Sequence, residues 1–334
     1  MLIRDQWYPV CPASLLKPDR PRPFRVWNLE LVAFRDAAGA PGVLLDRCCH
    51  RGARLSLGTV RGDCLACPYH GWEYDAAGRV VKVPSLGPDR SLPAYGIPSY
   101  PAAEADHYVW VWIAGERSRP DAPPRLHGIE HGAWTQRSAV WKVGAMAAAE
   151  NQLDSAHLAF VHGAVHPSKA GDDEPLREGR FAARVGPDSV VATWAVSADV
   201  PDDRFPGPER PGSSFLSFEL PYRNYVFLEE ERTRTIFNWV PLSANECRLE
   251  AMGASPLGEP GEALAVRFAE DEPAVLAQDR RVLESIRAMP ETARVPERHV
   301  LADQGTRAAR RLVADAMGGV RRNGSRRLSW RCFV

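Results

Sequence analysis

Over roughly its first 115 positions the chain alternates apolar and polar residues with the two-residue period of strands, punctuated by turn residues. FRVWNLELVAFRD (24–36) is rich in aromatic and β-branched residues, DAAGAPG (36–42) reads as a turn, and GVLLDRC (42–48) as a further strand. EYDAAGRVVKVP (73–84) predicts a hairpin around Ala76 to Gly78, and YVWVWIA (108–114) a strand buried on both faces. GERSRPDAPPR (115–125) interrupts the pattern with proline and charge and reads as a linker. Beyond it, GAMAAAENQLDSAHLAFVH (144–162) has helical spacing. RFAARV, VVATWAV, SFLSFEL, YVFLEE, TIFNWVPL and CRLEAMG then follow at intervals of about ten residues, as the strands of one antiparallel sheet would. Helices are predicted over roughly 273–288 and 303–317, the second ended by Gly318-Gly319. RRNGSRRLSWRCFV (321–334), with five arginines between 321 and 331, reads as a solvated basic tail. No internal repeat or low-complexity block is present.

The pattern gives an α+β chain with boundaries at 1–116, 117–320 and 321–334, and 334 residues is more than one domain commonly holds. The 42 basic and 42 acidic residues cancel, so overall charge argues neither for nucleic acid nor for an anionic membrane, and neither is expected as a partner. No apolar run reaches the roughly 18 residues of a membrane helix, and MLIRDQWYPV lacks a signal peptide's apolar core, so a cytoplasmic location is expected. Seven cysteines do not form a secreted disulfide framework. Cys48, Cys49, Cys64 and Cys67 crowd into twenty residues with two histidines beside them, a clustering that points to metal. Cys332 lies one residue too late for a prenylation box.

Cys48-x-His50, sixteen residues and Cys67-x-x-His70 supply two thiolates and two imidazoles on two loops. Such a set suits a structural Zn²⁺, or a Rieske [2Fe–2S] cluster in which one iron takes both sulfurs and the other both nitrogens. Zinc fingers usually group Cys with Cys and His with His, whereas here each loop gives one of each. With the flanking HRG (50–52) and CPYHGW (67–72), the pattern resembles the Rieske family. The resemblance implies a cluster on Cys48, His50, Cys67 and His70, at a potential of roughly −150 to +300 mV. Cys49 and Cys64 fall off the pattern and are expected as small buried residues.

A second constellation lies in ENQLDSAHLAFVH (150–162): Asn151, Asp154, His157 and His162. On an ideal helix the last three fall within about 140° of arc, but histidines five apart are not stacked neighbours, so a distortion is expected there. Two histidines with an open side suit non-haem Fe(II), whose triad needs one carboxylate more. In PAVLAQDRRVLESI (273–286) the apolar residues Val275, Leu276, Val282, Leu283 and Ile286 span about 120° of helix, and Asp279 falls in the middle of them. A carboxylate on a buried face needs a partner. Glu272 is the alternative if helix continues through Pro273, Glu284 projects toward solvent, and His166, between Gly163 and Pro167, is expected in a loop.

The whole motif also resembles the mononuclear-iron site of Rieske non-haem iron oxygenases, oxygenase (alpha) component, in their short homotrimeric monooxygenase and demethylase branch. That resemblance covers nearly the entire chain. It implies a Rieske domain followed by a helix-grip-like catalytic domain, with Fe(II) on His157, His162 and Asp279. It further implies monooxygenation (hydroxylation or O/N-demethylation) of a small organic substrate with O₂ as cosubstrate. Asn151 and Asp154 would support catalysis. Asp154 shares the face of His157 and can accept its second N–H, and the resemblance adds a bond to the partner subunit's His70. No G-x-G-x-x-G opens a helix and no second cysteine cluster is present, so NAD(P)H electrons require a separate reductase or ferredoxin. Aromatic cis-dihydroxylation and a pure electron-transfer role are the alternatives. Phe215, Phe218, Phe227 and Trp239 are candidates to line a substrate pocket or plain core.

Overall fold

The structure, a computed structural model, describes residues 1–87, 90–115, 122–127, 133–154, 156–162, 178–195, 215–228, 233–255, 274–286, 297–320 and 323–333. It divides into two compact units, Arg4–Leu126 and His127–Val334, the latter joined by Met1–Ile3. Among the described residues, 122–126 belong to the first unit. There Asp106 accepts from the Leu126 N–H, and Leu126 is 1% exposed.

The first unit contains strands β1 (Gln6–Pro12), β2 (Arg22–Val26), β3 (Leu29–Arg35), β4 (Pro41–Leu45), β5 (Thr59–Arg61), β6 (Cys64–Ala66), β7 (Glu73–Tyr74), β8 (Val80–Lys82), β9 (Ser99–Tyr100), β10 (Ala102–Ala105) and β11 (Tyr108–Ile113). They form three antiparallel sheets in the orders β1-β11-β10, β2-β3-β4-β9 and β5-β6-β7-β8. β11 is central to its sheet and buried throughout, as its unbroken apolar run requires. FRVWNLELVAFRD is two strands rather than one, with Trp27 at φ 52° turning β2 into β3. Two loops carry the Cys/His pairs. One follows β4 and the other joins β6 to β7. Val32, Phe34, Leu44, Leu55, Leu65, Tyr74 and Val80 form the core beneath both.

The second unit contains β12 (Ala133–Trp141), α1 (Ala145–Asn151), α2 (Leu158–Val161), β13 (Glu178–Val185), β14 (Ser189–Ala195), β15 (Phe215–Glu219), β16 (Arg223–Leu228), β17 (Thr233–Ser243), β18 (Glu246–Ser255), α3 (274–283), α4 (Gln304–Met317) and β19 (Arg326–Phe333). Among the described residues the strands make one antiparallel sheet, in the order β12-β18-β17-β16-β15-β14-β13-β19. The six strands expected from alternation are β13 to β18.

The C-terminal stretch is not a solvated tail. β19 pairs with β13 from Val185↔Arg326 to Glu178↔Phe333, and Trp330 stacks on Phe181 at 5.7 Å. Leu328 and Trp330 turn inward while Arg327, Ser329 and Arg331 are exposed, so a two-residue period lies beneath the arginine run.

α1 is tied to the sheet through Asn224. Its amide donates to Ala149 O (3.2 Å) and Ser217 O (2.9 Å), and its Oδ1 accepts from Trp239 Nε1 (3.0 Å). Phe218 and Trp239 are fully buried core on the face carrying Asn224. Phe215 and Phe227 lie on the opposite face, beneath the Arg234 guanidinium. The four aromatics therefore do not line one pocket.

Candidate functional site

The two Cys/His loops of the first unit share one backbone pattern. Cys48 N–H donates to Ala53 O and Gly52 N–H to Cys48 O; Cys67 N–H donates to Trp72 O and Gly71 N–H to Cys67 O. Each loop thus closes five residues after its cysteine, with a glycine at position four in the left-handed region: Gly52 at φ 75° and Gly71 at φ 69°. The closure turns each cysteine into the core and leaves each histidine outside it. Cys48 and Cys67 are 3% and 4% exposed, whereas His50 and His70 are exposed, their ring centroids 4.6 Å apart. Sulfurs on the inner side and imidazoles on the outer side match the division a [2Fe–2S] cluster with one Cys₂ iron and one His₂ iron requires.

The surroundings fit that group as well. Burial, first of all, pushes the Cys67 thiol up, while the backbone N–H groups of Tyr69 and His70 favour its thiolate. Desolvation, then His70 and Arg51, push His50 down, toward the neutral form that binds metal. The His50 ring stacks on Trp72 at 4.7 Å. Tyr74, fully buried, sets its hydroxyl 3.0 Å from Cys48 Sγ. Cys49 is exposed and Cys64 half-buried, against the expectation that both are buried. The loop that folds Cys48 inward turns the next side chain outward.

In the second unit the expected distortion is a complete break. α1 ends at Asn151, and Asp154 Oδ1 accepts the Ala156 N–H (2.9 Å), a side-chain turn that competes with helix. His157 caps α2 and His162 follows its last residue. In α3 only Leu276, Asp279 and Leu283 are buried, while Val282 and Ile286 are exposed. The buried stripe is thus narrower than the apolar one, and Asp279 still lies at its centre. Glu272 and His166 lie outside the described residues. Glu284 is half-buried: its Oε1 accepts from Lys142 N–H (2.9 Å) and Arg280 Nε (2.7 Å), fixing the end of α3 against the residue after β12.

His157, His162 and Asp279 come together, each offering one donor atom within 4.8 Å of the others. Asp279 Oδ1 lies 3.0 Å from His162 Nε2 and 3.5 Å from His157 Nε2, yet among the described residues it has no aligned hydrogen bond. Ligands about 2.1 Å from one ion and at right angles to each other are about 3 Å apart, so the donor set fits a single cation. His162 Nδ1 lies 2.8 Å from Gln278 Oε1. Desolvation pulls the His162 pKa down, but contact with Asp279 and Gln278 outweighs it and leaves the value raised. Asp154 Oδ2 is 3.6 Å from His157 Nδ1, too long for the expected hydrogen bond, and among the described residues His157 Nδ1 has no other partner. Asn151 Nδ2 is likewise buried without a partner among the described residues. The sequence patterns do not single out Tyr74 or Gln278, although Gln278 immediately precedes Asp279.

The Rieske [2Fe-2S] domain matches residues 6–101, and the vanillate O-demethylase oxygenase C-terminal domain matches residues 141–317. The chain belongs to the Rieske non-haem iron oxygenases, and the resemblance read from the two motifs is borne out. It is 29% identical over 286 residues to the 3-chlorobenzoate-3,4-dioxygenase oxygenase subunit of Comamonas testosteroni, covering 77% of this chain and 63% of that protein. The chain thus spans less than two thirds of this curated relative. Its fold is that of Pseudomonas putida CBB5 NdmA (TM-score 0.73, 20% identity, 97% of this chain and 96% of that one). It is also that of dicamba monooxygenase bound to dicamba (TM-score 0.76, 19% identity, 95% and 98%).

Proposed function

We propose that this chain is the oxygenase component of a system that uses O₂ and electrons from NAD(P)H, delivered by a separate reductase or ferredoxin, to monooxygenate a small organic substrate by hydroxylation or O/N-demethylation. The observation that carries the reading is the convergence of His157, His162 and Asp279 in a chain that also holds the Cys₂His₂ loops. Cys48, His50, Cys67 and His70 would hold a [2Fe–2S] cluster, and His157, His162 and Asp279 would hold Fe(II). When bound, these groups supply one-electron transfer and O₂ activation respectively. Among the chain's own residues, Gln278 accepts from His162 Nδ1–H and so keeps the Nε2 lone pair for the metal. Asp154 does the same for His157 once the 3.6 Å gap closes, and Asn151 is held close by as the last residue of α1.

A homotrimer in which Asp154 bonds the partner subunit's His70 is the assembly this reading favours. It is supported by exposed apolar residues beside each centre: Tyr69 (63%) next to His70, and Phe160 (77%) between His157 and His162. Mixing a Cys67→Ser chain with a His157→Ala chain tests it, because mixed trimers would regain turnover. A cytoplasmic location fits Cys11, Cys64 and Cys247, all of them free thiols. Among the described residues no helix is long and apolar enough to cross a membrane.

Turnover of candidate substrates with a reductase under ¹⁸O₂ tests the function. One labelled oxygen in the product, or in the released formaldehyde of a demethylation, is the expected result. Two labelled oxygens on adjacent ring carbons would establish cis-dihydroxylation, a reading favoured by the dioxygenase relative. Reduction of the protein without oxidation of any substrate would leave only electron transfer.

A further inference from the structure

The Cys49 side chain belongs to no ligand set, yet it is not idle. Its backbone N–H donates to the Tyr74 hydroxyl at 3.2 Å, and its Sγ lies 3.3 Å from the same oxygen. Cys48 Sγ lies 3.0 Å from it on the other side. Three groups therefore compete for one phenol, which has a single hydrogen to give and two lone pairs with which to accept.

The chemistry of the three decides the direction of each bond. The Cys49 N–H can only donate. A Cys48 sulfur bound as thiolate can only accept, and an anionic acceptor takes the phenol hydrogen in preference to a neutral thiol. The remaining lone pair of the Tyr74 oxygen is then filled by the Cys49 S–H.

We infer that Cys49 is a positioning residue for the cluster: its S–H and N–H donate to Tyr74, which in turn donates to Cys48. A hydrogen-bond donor that itself accepts two hydrogen bonds donates more strongly. A stronger hydrogen bond to a ligand sulfur stabilises the reduced cluster, which carries the extra negative charge, and so raises its potential. The chain thus sets part of the electron affinity of its first centre with a residue outside the Cys-x-His…Cys-x-x-His pattern. This inference rests on the reading of Cys48 as a cluster ligand.

The test is the midpoint potential of the cluster in holoprotein variants, with the visible spectrum and sulfide content measured on the same samples. Cys49→Ala should keep both spectrum and sulfide while its potential falls. Cys49→Ser, which retains a donor, should remain near the parent value. Tyr74→Phe should fall at least as far as Cys49→Ala, and adding Cys49→Ala to it should change nothing more. An unchanged or higher potential in Cys49→Ala with the cluster intact would overturn the relay, and so would additive effects in the double variant. Loss of the cluster in Cys49→Ala would instead overturn the ligand assignment beneath it.

Discussion

Gln278 Oε1 lies 2.8 Å from His162 Nδ1, one residue before the carboxylate that approaches the other nitrogen of the same ring. α3 therefore grips His162 from both sides. The amide fixes the tautomer, and Asp279 stands where the metal would be shared. Gln278→Leu should weaken Fe(II) binding by roughly 10–100-fold while leaving the cluster's absorbance unchanged. Gln278→Glu, which keeps an acceptor, should retain most of the affinity. An iron titration of the two variants followed by turnover makes the comparison. Equal binding in parent and Gln278→Leu would show that the ring is oriented by other contacts.

Cys67→Ser should abolish the visible absorption of the [2Fe–2S] cluster, and Cys64→Ser should preserve it. Cys64 begins β6 with a half-buried side chain, whereas Cys67 opens the loop that carries two backbone N–H donors to its sulfur. Spectra of the two purified variants decide the matter, and a colourless Cys64→Ser would move the ligand assignment.

Glu150 is 8% exposed and paired with Arg310 of α4, whose Nη2 lies 2.7 Å from its Oε2. Burial pushes the Glu150 pKa up, and Arg310 offsets only part of that rise. Arg310→Ala leaves a buried carboxylate without its cation directly before Asn151. Because Arg310 itself is 40% exposed, the loss of unfolding stability should be about 1–3 kcal/mol. Arg310→Lys should recover part of the loss. Urea unfolding of the iron-loaded proteins gives both values.

Glu284 should show itself in the acid limb of the stability profile. The Lys142 N–H, ahead of Arg280, holds its carboxyl below the ordinary value near 4.5, against a smaller effect of desolvation. A carboxyl whose folded value is depressed stabilises the fold above its unfolded pKa, and that stabilisation is lost as pH falls through the folded value. The difference in thermal midpoint between parent and Glu284→Gln should therefore be constant above about pH 5.5 and shrink as the pH drops below about 4.5. A difference that grows with acid would have the wrong sign for this contact.

The four residues proposed to hold the cluster were legible because they lie within 23 positions, from Cys48 to His70, and two short loops suffice to bring them together. Asp279 was legible for a different reason: a lone acid amid apolar residues at helical spacing must find a partner. The extent of its stripe was not, because Val282 and Ile286 are exposed near the end of a helix that stops at residue 283. The break between α1 and α2 depends on Asp154 capturing a backbone N–H, a choice that helical periodicity does not report. β19 was hidden by its arginines, whose charge reads as solvation while Leu328 and Trp330 supply the inward face. Tyr74 and Gln278 contact Cys48 and His162, two of the proposed ligands, and such contacts form only once the loops are folded.

The most direct measurement is the metal content of iron-loaded Asp279→Ala beside the parent protein. The parent should hold about three irons and two sulfides per chain, one [2Fe–2S] cluster and one mononuclear ion. Asp279→Ala should lose about one iron, keep both sulfides and the visible spectrum, and lose all substrate oxidation. Retention of the third iron with turnover intact, or loss of the sulfide together with it, would contradict the assignment of His157, His162 and Asp279 as a separate iron site.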